Sequence, residues 1–274
     1  DLPAPWGKAA DTLRPLHLEL ALGRDSVLLD IAFADTLAAE LELVEGKLHA
    51  ASIALGTDPL GLQPGQVRVS GRTAMVDAGQ WQDFLETHVA PARAAAQQGE
   101  QGPELAVSVD GLQVDRLVFA GREFAGVVLD VSGDGDRWRI TASTDWLRGE
   151  LLYAPGARSR LDIARLDLAG LDGPDEATGA EPRIIEVPDL AVTIGELRRG
   201  ESVLGKLAFD LQSDGADLRT RNISGDFLAL QLRAEEPGEL VWHQGADSRS
   251  VLTARLFFQD LGESLEALGY EKAI

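Results

Sequence analysis

Apolar and polar residues alternate with a period of two through most of the chain. Leu16, Leu18, Leu20 and Leu22 are separated by His17, Glu19 and Ala21, and Leu29, Ile31 and Phe33 by Asp30 and Ala32. The pattern returns at Leu41 and Leu43, Val67 and Val69, Leu105 to Val109, Val127 to Val131, Leu190 to Ile194 and Leu207 to Leu211. Successive side chains of a strand point to opposite sides of the sheet, so this period predicts antiparallel strands with one apolar face. We expect on the order of 15 strands, which at about 4.8 Å between neighbours would extend roughly 70 Å. Two stretches carry helical spacing instead. One covers about residues 78–97 and contains Trp81, Phe84, Leu85 and His88; the other, about 260–268, sets Leu261, Leu265 and Leu268 on one side behind Asp260 as N-cap. Residues 98–103 and 169–183, rich in Gly, Pro and acidic residues, read as linkers.

Much of this pattern occurs twice. The run from Gly149-Glu150-Leu151 through Gly156 to Arg165 returns as Gly238-Glu239-Leu240 through Gly245 to Arg255, with Tyr153 and Trp242 at matching places. Upstream, Leu105 to Val109 matches Leu190 to Ile194, and Asp134-Gly135 matches Asp214-Gly215. An Asp-Gly pair between alternating segments signals a hairpin, because glycine enters positive φ without a Cβ clash. Repetition of this kind builds an extended surface rather than one pocket.

A sheet of one-faced strands must cover its apolar side. Two short helices are too little for so many strands. The sheet therefore packs on itself as a sandwich, closes as a barrel, or curls into a trough whose apolar groove is narrow, plugged or filled with apolar ligand. We read three modules of one continuous β-groove: residues 1–103 ending in the first helix, 104–183, and 184–274 ending in the second.

Composition narrows the function. The formal net charge of −20, with no run among the 25 basic residues, argues against nucleic-acid partners and against adsorption to anionic membranes. With no cysteine, disulfides, Cys-zinc sites and thiol catalysis are excluded. No segment is apolar enough to span a bilayer, and no signal peptide is recognisable; the start at Asp1 reads as that of a mature form or an excised piece.

Catalytic motifs are missing from the sequence. His17, His49, His88 and His243 have no metal-ligand spacing, and Asp134-Gly135-Asp136 lacks the remainder of a calcium loop. No nucleophile elbow, zinc helix or phosphate loop occurs. We expect a non-enzymatic protein without metal or cofactor. A hydrolase would need His243 or a carboxylate pair to converge in a cleft. Trp81, Phe84 and Leu85 are expected to pack on the sheet, or to plug or gate its groove.

Several segments resemble the YhdP family of the AsmA-like superfamily: Asp1-Leu2-Pro3-Ala4-Pro5-Trp6-Gly7-Lys8, Val187-Pro188-Asp189-Leu190, Leu204-Gly205-Lys206-Leu207, Gly238 to Trp242, and Asp260-Leu261-Gly262 through Tyr270. The resemblance implies an internal periplasmic fragment of a bridge-like lipid-transfer protein, whose inner-membrane anchor helix lies outside this chain. It would carry phospholipids between inner and outer membrane and serve outer-membrane biogenesis. Its partners would be phospholipid acyl chains and neighbouring β modules of the same full-length protein. On this reading the groove is lined by Leu18, Leu20, Leu29, Ile31, Phe33, Leu105, Val107, Val109, Val127, Leu129, Val131, Leu190, Val192, Ile194, Leu207, Phe209 and Leu211. The alternative is a structural or scaffolding β-sandwich module of a cell-envelope protein.

Overall fold

The computed structural model describes residues 15–84, 87, 105–119, 122–134, 137–171, 187, 189–215, 217–228, 230–244, 248–258 and 262. These are mainly β: 17 strands, one α-helix and one 3-10 turn. The chain divides into two compact units, residues 1–144 and 145–274.

In the first unit β1 (Leu16–Leu22), β2 (Ser26–Phe33), β3 (Leu37–Val44), β4 (Lys47–Leu55), β5 (Gln66–Asp77), β6 (Ala106–Phe119), β7 (Arg122–Asp134) and β8 (Arg137–Ser143) pair in chain order. In the second unit β9 (Leu147–Tyr153), β10 (Ser159–Asp167), β11 (Leu190–Arg199), β12 (Ser202–Asp214) and β13 (Asp217–Phe227) do the same. Beyond β13 the second ladder forks. One branch is β14 (Leu230–Leu232) with β17 (Phe257–Phe258), the other β15 (Gly238–His243) with β16 (Arg249–Thr253). Neither ladder closes on itself among the described residues.

The expectation of purely antiparallel strands needs correction, because β4–β5, β5–β6 and β10–β11 are parallel. Parallel neighbours require a crossover, which alternation within a strand cannot signal. The β4–β5 crossover crosses the polar face of β4, where Leu60 N donates to Ser52 Oγ at 3.1 Å. The small residues Ala50, Ser52 and Ala54 are buried there. The β5–β6 connection begins with α1 (Ala78–Phe84), capped by Asp77, whose Oδ1 accepts from Gln80 N at 3.0 Å. The remainder of the expected helix over 78–97 lies outside the described residues, as do the second helix over 260–268 apart from Gly262 and the N-terminal segment 1–14. Of the two expected linkers, 98–103 lies outside them as well, while 169–171 belong to a 3-10 turn, Leu168–Leu171.

The repeated segments are repeated structures. Asp134 pairs with Arg137 and Asp214 with Asp217, so both Asp-Gly signals sit at hairpins with two-residue loops. Both Gly-Glu-Leu copies are hairpins too, β9–β10 and β15–β16. The upstream repeat carries a further feature: register shifts between Val109 and Leu112 and, equivalently, between Ile194 and Leu197. The bulge adds one residue on the repeated strand. Apolar spacing changes there from two to three, and Leu112 and Leu197 remain on the face of Val109 and Ile194. Gly111, with φ 59°, supplies the left-handed residue of the first bulge.

Each unit has its own core. Leu55, Leu112, Val114 and Val127 form one; Leu190, Val192, Ile194 and Leu197 form the other.

Candidate functional site

Directly paired residues of adjacent strands share a face, so the registers can be followed across each unit. In the first, Leu18, Ile31, Ala39, Ile53, Val69, Val109, Val131 and Ile140 form one row, one residue from each of eight strands, all apolar. A second row on that face runs Leu20, Leu29, Leu41, Ala51, Val67, Val107, Gly133 and Trp138. Gly133 has no side chain, and a Cβ there would overlap the Trp138 ring, which occupies that space. The opposite face carries Glu19, Asp30, Glu40, Ser52, Arg68, Ser108, Ser132 and Arg139 in a row with no apolar member. Arg68 is anchored there by Asp110 at 3.0 Å.

The second unit repeats the division. Leu151, Leu161, Val192 and Phe209 form an apolar row over β9 to β12, and Leu190 continues through Leu211, Thr220 and Leu240 to Leu252. Its other face carries Glu150, Asp162, Thr193, Ala208 and Ser224. Ion pairs lace that side, among them Arg158–Asp210 and Arg160–Asp162.

In the first unit, the predicted residues Leu18, Leu20, Leu29, Ile31, Phe33, Val107, Val109, Val127, Leu129 and Val131 share the apolar face. Leu105 precedes β6 and is unpaired in register, a half-buried coil residue. In the second unit, Leu190, Val192, Ile194, Leu207, Phe209 and Leu211 share a face. Most of these side chains are only half-buried, and Leu18 on the outermost strand is 58% exposed. Alternation alone found these positions. It missed Trp138, whose place is signalled only by pairing with Gly133, and Ala39 and Ala51, whose small side chains resemble either face. Trp81 is half-buried on α1, Phe84 ends that helix, and Leu85 lies outside the described residues.

Polar groups gather elsewhere. His243 Nδ1 lies 2.8 Å from Asp217 Oδ1, a cross-strand pair whose neighbour is Arg219. Among the described residues no three His, Cys, Asp or Glu side chains could hold a metal ion. No described helix is long and apolar enough to cross a membrane. Asp167, at the end of β10, accepts the Gly200 amide at 2.8 Å and the Ala169 amide at 3.0 Å. These bonds, Gly200 foremost, hold its carboxyl below the ordinary carboxylate value, with help from the Arg198 and Arg165 guanidiniums.

Neither the curated proteins nor the solved structures contain a match to this chain. The family model described as YhdP protein does match, over residues 1–274. With that match over its whole length, the chain belongs to the YhdP family of AsmA-like cell-envelope proteins, a lipid-transport rather than a catalytic family.

Proposed function

We propose that this chain is a periplasmic segment of a phospholipid conduit between inner and outer membrane, and that its apolar sheet face shields acyl chains from water. The observation that carries this reading is the eight-strand apolar row from Leu18 to Ile140, backed by a row without apolar residues from Glu19 to Arg139. An apolar face this long and still half-exposed favours an apolar ligand, since each methylene removed from water contributes about 0.8 kcal/mol. Rows of Leu, Val and Ile offer no deep, specific pocket. Lipids would then be held by chain character and move along the face, with neighbouring modules of the full-length protein extending it. The residues Trp81, Phe84 and Leu85 would plug or gate the groove.

Native mass spectrometry and lipid extraction of the purified chain test this. Co-purified phospholipid, and crosslinks from photoreactive residues at Val107 or Phe209, are expected. Consistently lipid-free protein without such crosslinks would sink the conduit and leave the structural module.

A further inference from the structure

The apolar face of the second unit changes character from one strand end to the other. The row that runs from Leu147 through Leu197 and Phe227 to Phe258 holds only apolar residues and Gly205. The next row, from Gly149 through Ile194 to Leu232, holds only apolar residues and glycine, and the third, from Leu151 to Phe209, is wholly apolar. In the fourth row, Ser159, Leu190 and Leu211 lead to Thr220, Leu240 and Leu252. The last runs Ser213, Leu218, Trp242 and Ser250, and Tyr153 belongs to the same strand ends, two residues beyond Leu151 on β9. Hydroxyl and indole groups thus gather at one end of these strands, on the face that carries the leucines. No Lys or Arg occupies any of the five rows.

Several of these polar groups are left without work inside the protein. Among the described residues the hydroxyls of Tyr153, Thr220 and Ser250 have no hydrogen-bond partner, although Tyr153 and Thr220 are half-buried. A hydroxyl that loses hydration without gaining a partner is costly. Trp242 Nε1 donates to Ser248 Oγ at 2.9 Å, which fixes its ring. Tyr and Trp combine an apolar body with a polar tip, and in lipid assemblies they sit at the boundary between hydrocarbon and head groups. Leu211 in the Thr220 row and Gly205 in the Phe227 row are six residues apart on β12, roughly 20 Å at about 3.4 Å per residue. Half of a hydrocarbon core about 30 Å thick is about 15 Å, so one acyl chain fits along the strand. Phe258, at the far apolar end, is 51% exposed.

From this gradient we propose that a glycerolipid lies along the strands of the second unit, with its ester end at the rim of Tyr153, Thr220 and Trp242 and its acyl ends toward Leu147 and Phe227. The proposal rests on the lipid-carrying reading above and gives the bound lipid a direction. Ester carbonyls accept hydrogen bonds and carry no charge, which suits a rim of neutral donors. A phosphate would call for the guanidinium or ammonium groups that this face lacks in all five rows. Tyr153 and Thr220 are separated by β10, β11 and β12, so they meet successive lipids rather than one.

Photoaffinity labelling of the 274-residue chain with two phosphatidylcholines tests this, one bearing a diazirine on the head group and the other at the acyl terminus. Mass spectrometry should place the head-group probe on the strand ends with Tyr153, Thr220 and Trp242, and the acyl probe on those with Leu147, Phe227 and Phe258. Equal yields at both ends, or the reverse order, overturn the proposal while the conduit stands. Thr220→Val removes the hydroxyl and keeps the side chain's shape. In calorimetric titration it should bind dihexanoyl phosphatidylcholine about fivefold more weakly than the wild type, and the diether analogue equally well. Unchanged affinity for the diester, or an equal loss with the diether, also overturns it. If neither probe labels the sheet and the wild-type chain binds neither lipid, the conduit reading fails and the orientation with it.

Discussion

Tyr153 on β9 and Trp242 on β15 lie on the same face of the second unit's sheet. The registers connect them: Leu151 pairs with Leu161, Leu161 with Val192 and Val192 with Phe209; Leu211, two residues on, pairs with Thr220, and Thr220 with Leu240. Tyr153 and Trp242 each follow by two along their own strands. The two copies of the Gly-Glu-Leu segment therefore present their aromatic residue in one direction, toward the apolar side, as increments of a single surface require.

That sidedness is measurable. A photoreactive residue at Val109 or Phe209 should crosslink to a bound phospholipid, and one at Ser108 or Ala208, the neighbouring positions on the opposite faces, should not. Mass spectrometry of the adducts reads the difference. Equal yields from both faces would remove the basis for a one-sided groove.

Core and lining should separate energetically. Leu197 is 5% exposed within the second core, and Leu197→Ala should cost about 2–5 kcal/mol of stability. Leu18 is 58% exposed, and Leu18→Ala should stay within about 0.5 kcal/mol of wild type. Urea titration of both variants checks this. A large loss at Leu18 would mean that its exposed face is covered in solution.

Gly205 tests the close pairing of β12 with β13. Its φ is 141°, and a Cβ there would overlap the Asp226 carbonyl of the neighbouring strand. Gly205→Ala should destabilise the second unit by more than about 1 kcal/mol, visible as a lowered denaturation midpoint. A neutral substitution would show that β12 and β13 do not approach this closely.

Asp167 predicts a pH dependence. Its carboxyl is held below the ordinary value of 3.8, so the unfolded chain takes up its proton first as pH falls. Its stabilising contribution is therefore complete above the unfolded pKa and lost as pH drops through the lower folded value. Asp167→Asn should be less stable than wild type near neutrality, and the two should converge in acid. Thermal melts across that range follow the gap; a gap independent of pH would assign the effect to lost geometry rather than charge.

The sequence was legible where structure is local. The alternation of Leu16 to Leu22 and of Leu190 to Ile194 identified strands and their faces, and Asp134-Gly135 and Asp214-Gly215 marked hairpins, because both signals are complete within a few residues. It was less legible at Ala39 and Ala51, whose small side chains leave the pattern ambiguous, and at Leu112 and Leu197, where a bulge resets the period.

By itself, then, the sequence determined a mainly β protein of one-faced strands, with its repeats and most of its apolar positions, because strand period and turn chemistry act over neighbouring residues. Only the tertiary structure decided which strands are neighbours: the parallel crossovers into β5, β6 and β11, the meeting of Trp138 with Gly133, and the placing of Arg148 against Arg165. The crossover pairings join residues far apart in the chain, whereas Trp138 meets Gly133 and Arg148 meets Arg165 across hairpins whose register sets the contact. They depend on which alignment buries the most apolar surface across the sheet, and no local pattern records that sum.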